Sequence, residues 1–287
     1  MPEGDSIFRA ARTLHRALAG STVTRFESVF PALTRVDHDR RIAGRTVESV
    51  SSRGKHILTA FSGDLLLRTH MRMSGSWHLY RPGERWQRPA GDMRIVIETA
   101  RLVAVGFNVA SAEFLSTGDL VRHRELDALG PDLLSPSFDR DEALRRIRQQ
   151  RHQAIADVLL NQRVVAGIGN IFKSEVLFLA GVDPFTPASA LSDDTLGRIV
   201  DEARKQLRAN VLRRSQTLST ASGIRTTRSL DPREKLWVYH RGGKPCRTCG
   251  TMIRSKKTGV DARGTYWCPE CQNHKEHKGH KERESSW

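Results

Sequence analysis

The sequence predicts an α+β protein: an N-terminal helix joined to a β-sandwich, then a helical domain, then a small four-cysteine metal ribbon. Three patterns carry this prediction. The first is a short amphipathic helix at the start of the chain. The second is a run to about residue 115 of short β-rich segments broken by turn residues. The third is a switch to helical spacing, followed by two Cys-x2-Cys pairs near the C-terminus.

Residues 5–19 open on Asp5 and Ser6 as candidate caps, place Ile7, Ala11, Leu14 and Leu18 along one face, and stop at Gly20. From Thr22 the period shortens. Runs such as Ile57-Leu58-Thr59-Ala60-Phe61, Leu65-Leu66-Leu67, Met93-Arg94-Ile95-Val96-Ile97 and Leu102-Val103-Ala104-Val105 read as strands of a sandwich or barrel. Gly130-Pro131-Asp132 and Ser135-Pro136-Ser137 make a turn-rich hinge, because proline and glycine cannot continue either regular element. Helical patterns follow at 141 to about 150, roughly 154–161, 170–180 and 192 to about 213, the last opening on Leu191-Ser192-Asp193-Asp194. Residues 215–233, rich in Ser, Thr and Arg, read as a mobile loop. The resulting division is a domain over 1–118, a hinge over 119–136, a helical domain over 137–236, a ribbon over 237–273 and a basic, disordered tail over 274–287.

A chain of 287 residues with 38% hydrophobic and 28% charged content can bury a core, which excludes wholesale disorder. No run approaches the length of a membrane span, and Met1-Pro2-Glu3-Gly4-Asp5 is acidic where a signal peptide is basic, so a cytoplasmic protein without a membrane partner is expected. The net charge is +15, and it is uneven: residues 1–100 carry +6, residues 101–200 carry −2, and residues 201–287 carry +11. A basic pole of this size suits a polyanionic partner, since neutralising phosphates releases condensed counterions. Charge alone fits a solvated surface equally well.

All four cysteines fall in Cys246-x2-Cys249 and Cys268-x2-Cys271, separated by 18 residues. Two such knuckles offer four thiolates tetrahedrally to one Zn2+, a structural site because no position stays open for a water. A redox pair is the alternative, but two equivalent pairs argue against it. Met252-Ile253 and Thr265-Tyr266-Trp267 could form a hairpin between the knuckles, and Arg254, Lys256, Lys257 and Arg263 on the same span could touch phosphate.

Removal of Met1 would expose Pro2 as a secondary amine directly before a helix. An N-terminal amine titrates near ~8, so a useful fraction is unprotonated at neutral pH and can attack an electrophilic carbon, with Glu3 beside it to move the proton. Taken alone, a Met-Pro start is common and says little.

Four segments together say more: Met1-Pro2-Glu3-Gly4, Arg53-Gly54-Lys55-His56, Val165-Ala166-Gly167-Ile168-Gly169-Asn170-Ile171-Phe172, and Arg263-Gly264-Thr265-Tyr266-Trp267-Cys268-Pro269-Glu270-Cys271-Gln272. In order and approximate spacing the chain resembles the formamidopyrimidine-DNA glycosylase / endonuclease VIII family of base-excision repair enzymes, from residue 1 to about 273. The Met-Pro-Glu-Gly start is closer to the endonuclease VIII branch. The resemblance implies a helix-two-turns-helix module in the helical domain and a monomeric enzyme acting on DNA that contains oxidised bases or abasic sites. Pro2 is similar to the family nucleophile that forms an imine with C1′, and Glu3 to the residue assisting proton transfer at the sugar. Lys55 resembles the strand lysine near the damaged nucleotide, Asn170 a phosphate-binding amide at a helix start, and Arg263 the ribbon arginine that grips flanking phosphate. His70, a candidate DNA contact, precedes a loop similar to the one that fills the gap left by an extruded base, which makes Arg72 and Met73 the candidate wedge; a core methionine is the alternative.

The chain departs from the family at two places. Many relatives carry glutamate where this chain has Ser6, so either Asp5 supplies the missing carboxylate or the step it assists differs. Gly106-Phe107-Asn108-Val109-Ala110 stands where the oxidised-purine branch has an Arg-Phe motif. The expected activity is therefore a glycosylase and abasic-site lyase for oxidised pyrimidines. A non-catalytic damaged-DNA-binding protein and an oxidised-purine glycosylase are the competing readings.

Overall fold

A computed structural model of the chain describes residues 2–212, 223–259 and 262–273. Helix α1 (Gly4–Leu18) buries Ile7, Ala10, Ala11, Leu14 and Leu18 on one face, the stripe expected of a helix lying on a sheet. Its N-cap is Glu3, ahead of the Asp5 and Ser6 expected from sequence. Ser6 sits in the first turn, where its Oγ accepts from Glu3 N at 2.8 Å and donates to Glu3 O at 2.9 Å. The helix starts early because Gly4 packs directly on the Gly167 backbone, donating its N–H to Gly167 O at 2.9 Å.

Eight strands follow: β1 (Val23–Ser28), β2 (Val47–Arg53), β3 (His56–Phe61), β4 (Leu65–His70), β5 (Ser76–Tyr80), β6 (Met93–Thr99), β7 (Val103–Phe107) and β8 (Ser111–Leu115). They form two antiparallel sheets, ordered β1-β6-β7-β5 and β2-β3-β4-β8. Between them Phe26, Trp77, Ile95 and Ile97 meet Val47, Ile57, Phe61 and Leu67, and α1 closes one side. The β-rich runs singled out at 57–61, 65–67, 93–97 and 102–105 fall on β3, β4, β6 and β7. The remaining strands carry more polar residues and stand out less in the sequence. Helix α2 (Pro31–Arg40) interrupts the strand region unannounced: it buries only Leu33, so it has almost no apolar stripe to read.

Two short helices, α3 (Thr117–Arg122) and α4 (Arg124–Asp127), link the sandwich to the helical domain of α5 (Arg140–Gln149), α6 (Ile155–Leu160), α7 (Asn170–Leu179) and α8 (Asp193–Leu212). These four helices agree with the expected spans to within a residue or so. Ile147, Ile155, Leu159, Phe172, Val176, Leu196, Ile199 and Leu207 make their shared core. The Arg140–Asp201 pair at 2.9 Å also joins α5 to α8, but it is exposed and contributes only ~0–1 kcal/mol, so the apolar packing decides the arrangement.

The ribbon is a hairpin of β9 (Arg254–Thr258) and β10 (Arg263–Trp267), with Thr265 opposite Lys256. Its first strand begins later than Met252-Ile253 suggested, because Ile253 is pinned to the knuckle by a bond from its N–H to Lys244 O at 2.9 Å and is buried with Phe178 and Val238. Residues 215–222 of the expected mobile loop, and the tail over 274–287, lie outside the described residues. Residues 223–233 are irregular but tied down, as where Arg225 N donates to Asn210 Oδ1 at 2.8 Å.

Leu14 is 2% exposed between α1 and the sheets, so Leu14→Ala removes buried methyl groups and leaves a cavity. A loss of ~2–5 kcal/mol is expected in urea-induced unfolding.

Candidate active site

The site is assembled around one buried carboxylate. Glu3 has no solvent exposure, and its two oxygens accept the backbone N–H groups of Gly169 at 3.1 Å, Ile171 at 2.6 Å and Phe172 at 3.2 Å. These are the orphan donors at the start of α7, where the helix dipole also favours an anion. The Gly167-Ile168-Gly169 turn makes this approach possible. A Cβ at Gly169 would lie 2.3 Å from Glu3 Cδ, and one at Gly4 would lie 2.8 Å from Gly167 Cα. Burial pushes the Glu3 carboxyl up to about 7, against the pull of Lys55 and the backbone donors. At neutral pH it is thus poised to give or take a proton.

Next to Glu3 opens a cleft of ≈ 1070 Å³ whose walls include Pro2, Lys55, His70, Arg72, Met73, Asn170 and Arg263. All eight predicted catalytic and DNA-contacting positions are therefore in one place, with Glu3 directly behind Pro2. Lys55 is held at the β2–β3 turn, where Gly54 adopts a positive φ of 57° and donates its N–H to Asp132 Oδ2 at 2.7 Å. Burial lowers the Lys55 ammonium to about 8, Glu3 opposing and Arg263 reinforcing the shift.

His70 ends β4, and its Nδ1 accepts from Arg72 N at 3.2 Å. Burial foremost, then Lys55 and the nearby arginines, hold this imidazole down at about 4, so it is neutral at pH 7. In the loop that follows, the two methionines separate. Met71 is 2% exposed in the core, while Met73 is 73% exposed at the cleft mouth, which overrules a core role for Met73. Arg72 adopts φ 47°, and Gly75 passes so near Met71 O and Asn108 O that no side chain fits. Asn170 is 7% exposed; its Nδ2 donates to Gly264 O at 3.0 Å, and its buried Oδ1 lacks a hydrogen-bond partner among the described residues.

Several residues that build this site carried no sequence signal. Tyr239 lines the cleft within 3.5 Å of Asn170 Nδ2. Gln162 staples the turn before α7, accepting from Gly167 N at 3.1 Å and donating to Ile168 O at 3.0 Å. Lys173 is fully buried under the ribbon, donating to Thr265 Oγ1 at 2.7 Å. Glu175, equally buried, accepts the N–H groups of Trp237, Val238 and Tyr239, each at 2.8 Å, and so fixes Tyr239. A helical period reads Lys173 and Glu175 as unremarkable surface charges; only the ribbon packed above them makes them interior.

The sulfurs of Cys246, Cys249, Cys268 and Cys271 lie within 4.8 Å of one another, with Cys246–Cys271 at 3.8 Å and Cys249–Cys268 at 3.4 Å. Four thiolates at Zn–S distances of ~2.3 Å would have edges of about 3.8 Å, so the set fits one tetrahedral zinc and is too wide for disulfides. The ribbon holds one structural zinc.

An N-terminal helix on a β-sandwich, a helical module whose Gly-rich turn receives the N-terminal glutamate, and a zinc ribbon together define a DNA-repair glycosylase architecture. Residues 1–110 match the formamidopyrimidine-DNA glycosylase N-terminal domain, 129–222 its H2TH domain, and 243–273 the zinc finger found in FPG and IleRS. The chain is 41% identical to a probable endonuclease 8 2 of Streptomyces coelicolor, over 95% of this chain and 94% of that protein. It is 37% identical to the DNA-(apurinic or apyrimidinic site) lyase Nei2 of Mycolicibacterium smegmatis, over 95% and 99%. Among solved structures, Lactococcus lactis Fpg bound to oxidised-pyrimidine DNA superimposes with a TM-score of 0.80 at 24% identity, covering 95% of this chain and 100% of that one, a likeness of fold. The chain belongs to the formamidopyrimidine-DNA glycosylase / endonuclease VIII family.

Cys268 is fully buried in the ribbon core. Stripping zinc with a strong chelator, or Cys268→Ser, is expected to unfold the β9–β10 hairpin while the sandwich persists. The loss would be read as disappearance of hairpin amide protection in hydrogen exchange, with DNA affinity falling at least about tenfold.

Proposed function

We propose that the chain is a base-excision-repair DNA glycosylase with abasic-site lyase activity, removing oxidised pyrimidines through an imine at Pro2. The observation that carries this reading is the meeting of Pro2 and Lys55 in one cleft, lined also by Met73 and backed by the buried carboxylate of Glu3. With Met1 removed, the Pro2 nitrogen lone pair attacks C1′, the base leaves with the electrons of the glycosidic bond and takes up the Pro2 N–H proton, and the lone pair so restored on nitrogen opens the C1′–O4′ bond to give the iminium. Glu3, poised near neutrality, gives its proton to O4′ as that bond opens. The iminium acidifies C2′–H; removal of that proton expels the 3′-phosphate and nicks the strand. Glycosylase and lyase are thus one covalent pathway.

Lys55 and Arg263 hold the phosphates around the extruded nucleotide, and Asn170 offers an amide at the helix start. Met73, with Arg72 beside it, enters the gap in the base stack. Ser6 is occupied in the first turn of α1, so the carboxylate that many relatives carry there has no substitute at its own position. Asp5 is buried beside it, bonded to Arg9 at 3.3 Å, and is the nearest candidate for that role. Binding without chemistry fits less well, because a pure binder has no use for a buried carboxylate poised near neutrality behind an N-terminal amine.

The oxidised-pyrimidine preference is supported by the relatives named endonuclease 8 and by Gly106-Phe107-Asn108 in place of an Arg-Phe motif. The enzyme works as a monomer in the cytoplasm; among the described residues no helix is long and apolar enough to cross a membrane. The catalytic domain corresponds to 1–118, the hinge to 119–136, the helix-two-turns-helix domain to 137–236 and the ribbon to 237–273.

Borohydride is expected to trap Met1-processed protein on duplexes carrying an oxidised pyrimidine or an abasic site, and Pro2→Gly to cut trapping severely. Retention of full nicking after Pro2 is blocked would show that another amine is the nucleophile. Glu3→Gln is expected to lower base excision by ~10²-fold or more while nicking of a preformed abasic site survives, because its open-chain aldehyde has no C1′–O4′ bond for Glu3 to help open. In the unaltered protein the ratio of excision to abasic nicking falls as pH rises through about 7, where Glu3 loses its proton; a flat ratio would remove Glu3 from that step.

A further inference from the structure

The face of β4 turned away from the sandwich core carries Arg68 and, two residues on, His70 at the edge of the wedge loop. A strand of an exposed sheet normally gives such positions to water. Here Glu125 of α4 lies on Arg68, which is only 8% exposed. Its guanidinium is divided three ways: to Glu113 of β8, opposite it in the strand register, at 2.5 Å; to Glu125 of α4 at 2.7 Å; and to His56 Nδ1 at 3.0 Å. His123, between α3 and α4, adds a contact to Glu113 at 2.9 Å.

An arginine only donates, so His56 Nδ1 must be the acceptor, and a neutral His56 carries its proton on Nε2. His56 is the cross-strand partner of His70, the two rings lying 4.7 Å apart, and His70 in turn accepts from the backbone of Arg72. The contacts are therefore continuous from the interdomain link, through Arg68 and the two imidazoles, to the residue beside Met73. An arginine needed only to neutralise carboxylates would not require the third arm to a neutral ring.

We infer that Arg68 is a positioning residue for base extrusion: through His56 and His70 it sets the conformation of the wedge loop, and through Glu125 it makes that setting depend on the docked α3–α4 link. The inference rests on the glycosylase reading of the cleft. It predicts a separation of activities, because extruding and expelling a base needs the wedge, whereas opening a preformed abasic site does not.

The test uses the full-length zinc-loaded protein with Arg68→Met and Arg68→Lys. Single-turnover excision from a duplex with an oxidised pyrimidine is compared with nicking of a preformed abasic site. The fluorescence of a 2-aminopurine next to the lesion reports wedge insertion. Arg68→Met is expected to slow excision about tenfold or more and to reduce the 2-aminopurine change, with abasic nicking within about threefold of the parent. Lysine reaches one carboxylate but cannot also serve His56, so Arg68→Lys is expected to recover thermal stability without recovering excision. The inference is overturned if Arg68→Lys excises normally, if excision and nicking fall in parallel with stability in both variants, or if neither activity changes. The fluorescence arm needs no chemistry: a parent protein that inserts its wedge but neither excises nor traps would defeat the glycosylase reading and leave the Arg68 relay to be judged on the fluorescence alone.

Discussion

Everything in this molecule is arranged around the burial of the Glu3 carboxylate on the first turn of α7. An unpaired buried carboxylate is costly, and three backbone N–H groups together with the dipole of a ten-residue helix offset that cost. The consequence is geometric. Residue 3 and residues 169–172 are brought together, so the sandwich and the helical domain share one site and the chain terminus is held at its edge. The glycines at 4 and 169 follow from this contact, because a side chain there would occupy the space that the facing backbone or the carboxylate fills, while Gly167 is required by its positive φ of 110°.

The electrostatics of the cleft follow from the same burial. Glu3 is raised and Lys55 lowered, each mainly by loss of water and each partly restrained by the other, so both titrate near physiological pH. Such coupling suits a site that must move protons while holding phosphate. It also explains why the strongly basic composition does not map onto the site directly. Residues 101–200 sum to −2, yet they supply Asn170, the Gly-rich turn and the helix end on which the glutamate rests. Positive charge is concentrated in the C-terminal third, while the cleft itself holds a few charges whose environment is controlled by burial.

How much of this could be read from residues alone depended on whether a residue's role was local. The four helices of the second domain follow from spacing and caps, and the zinc site follows from two knuckles, because periodicity and ligand spacing are short-range properties. Helix α2 escaped because a single buried leucine makes no period. The first ribbon strand was displaced because Ile253 is held by the knuckle instead of the hairpin. Met71 and Met73 show the limit most plainly: two residues apart in one loop and chemically identical, they end 2% and 73% exposed.

By itself, then, the sequence determined most element types, the metal ligands, the family and several of the residues that converge on the cleft. Tertiary structure decided which of them are buried and against what, and hence their chemistry. Glu3 becomes a proton donor near neutrality only under α7, Lys173 and Glu175 become interior only under the ribbon, and Arg68 becomes a three-way junction only under α4. Desolvation and long-range hydrogen bonding depend on neighbours tens to well over a hundred residues away, and no local pattern encodes them.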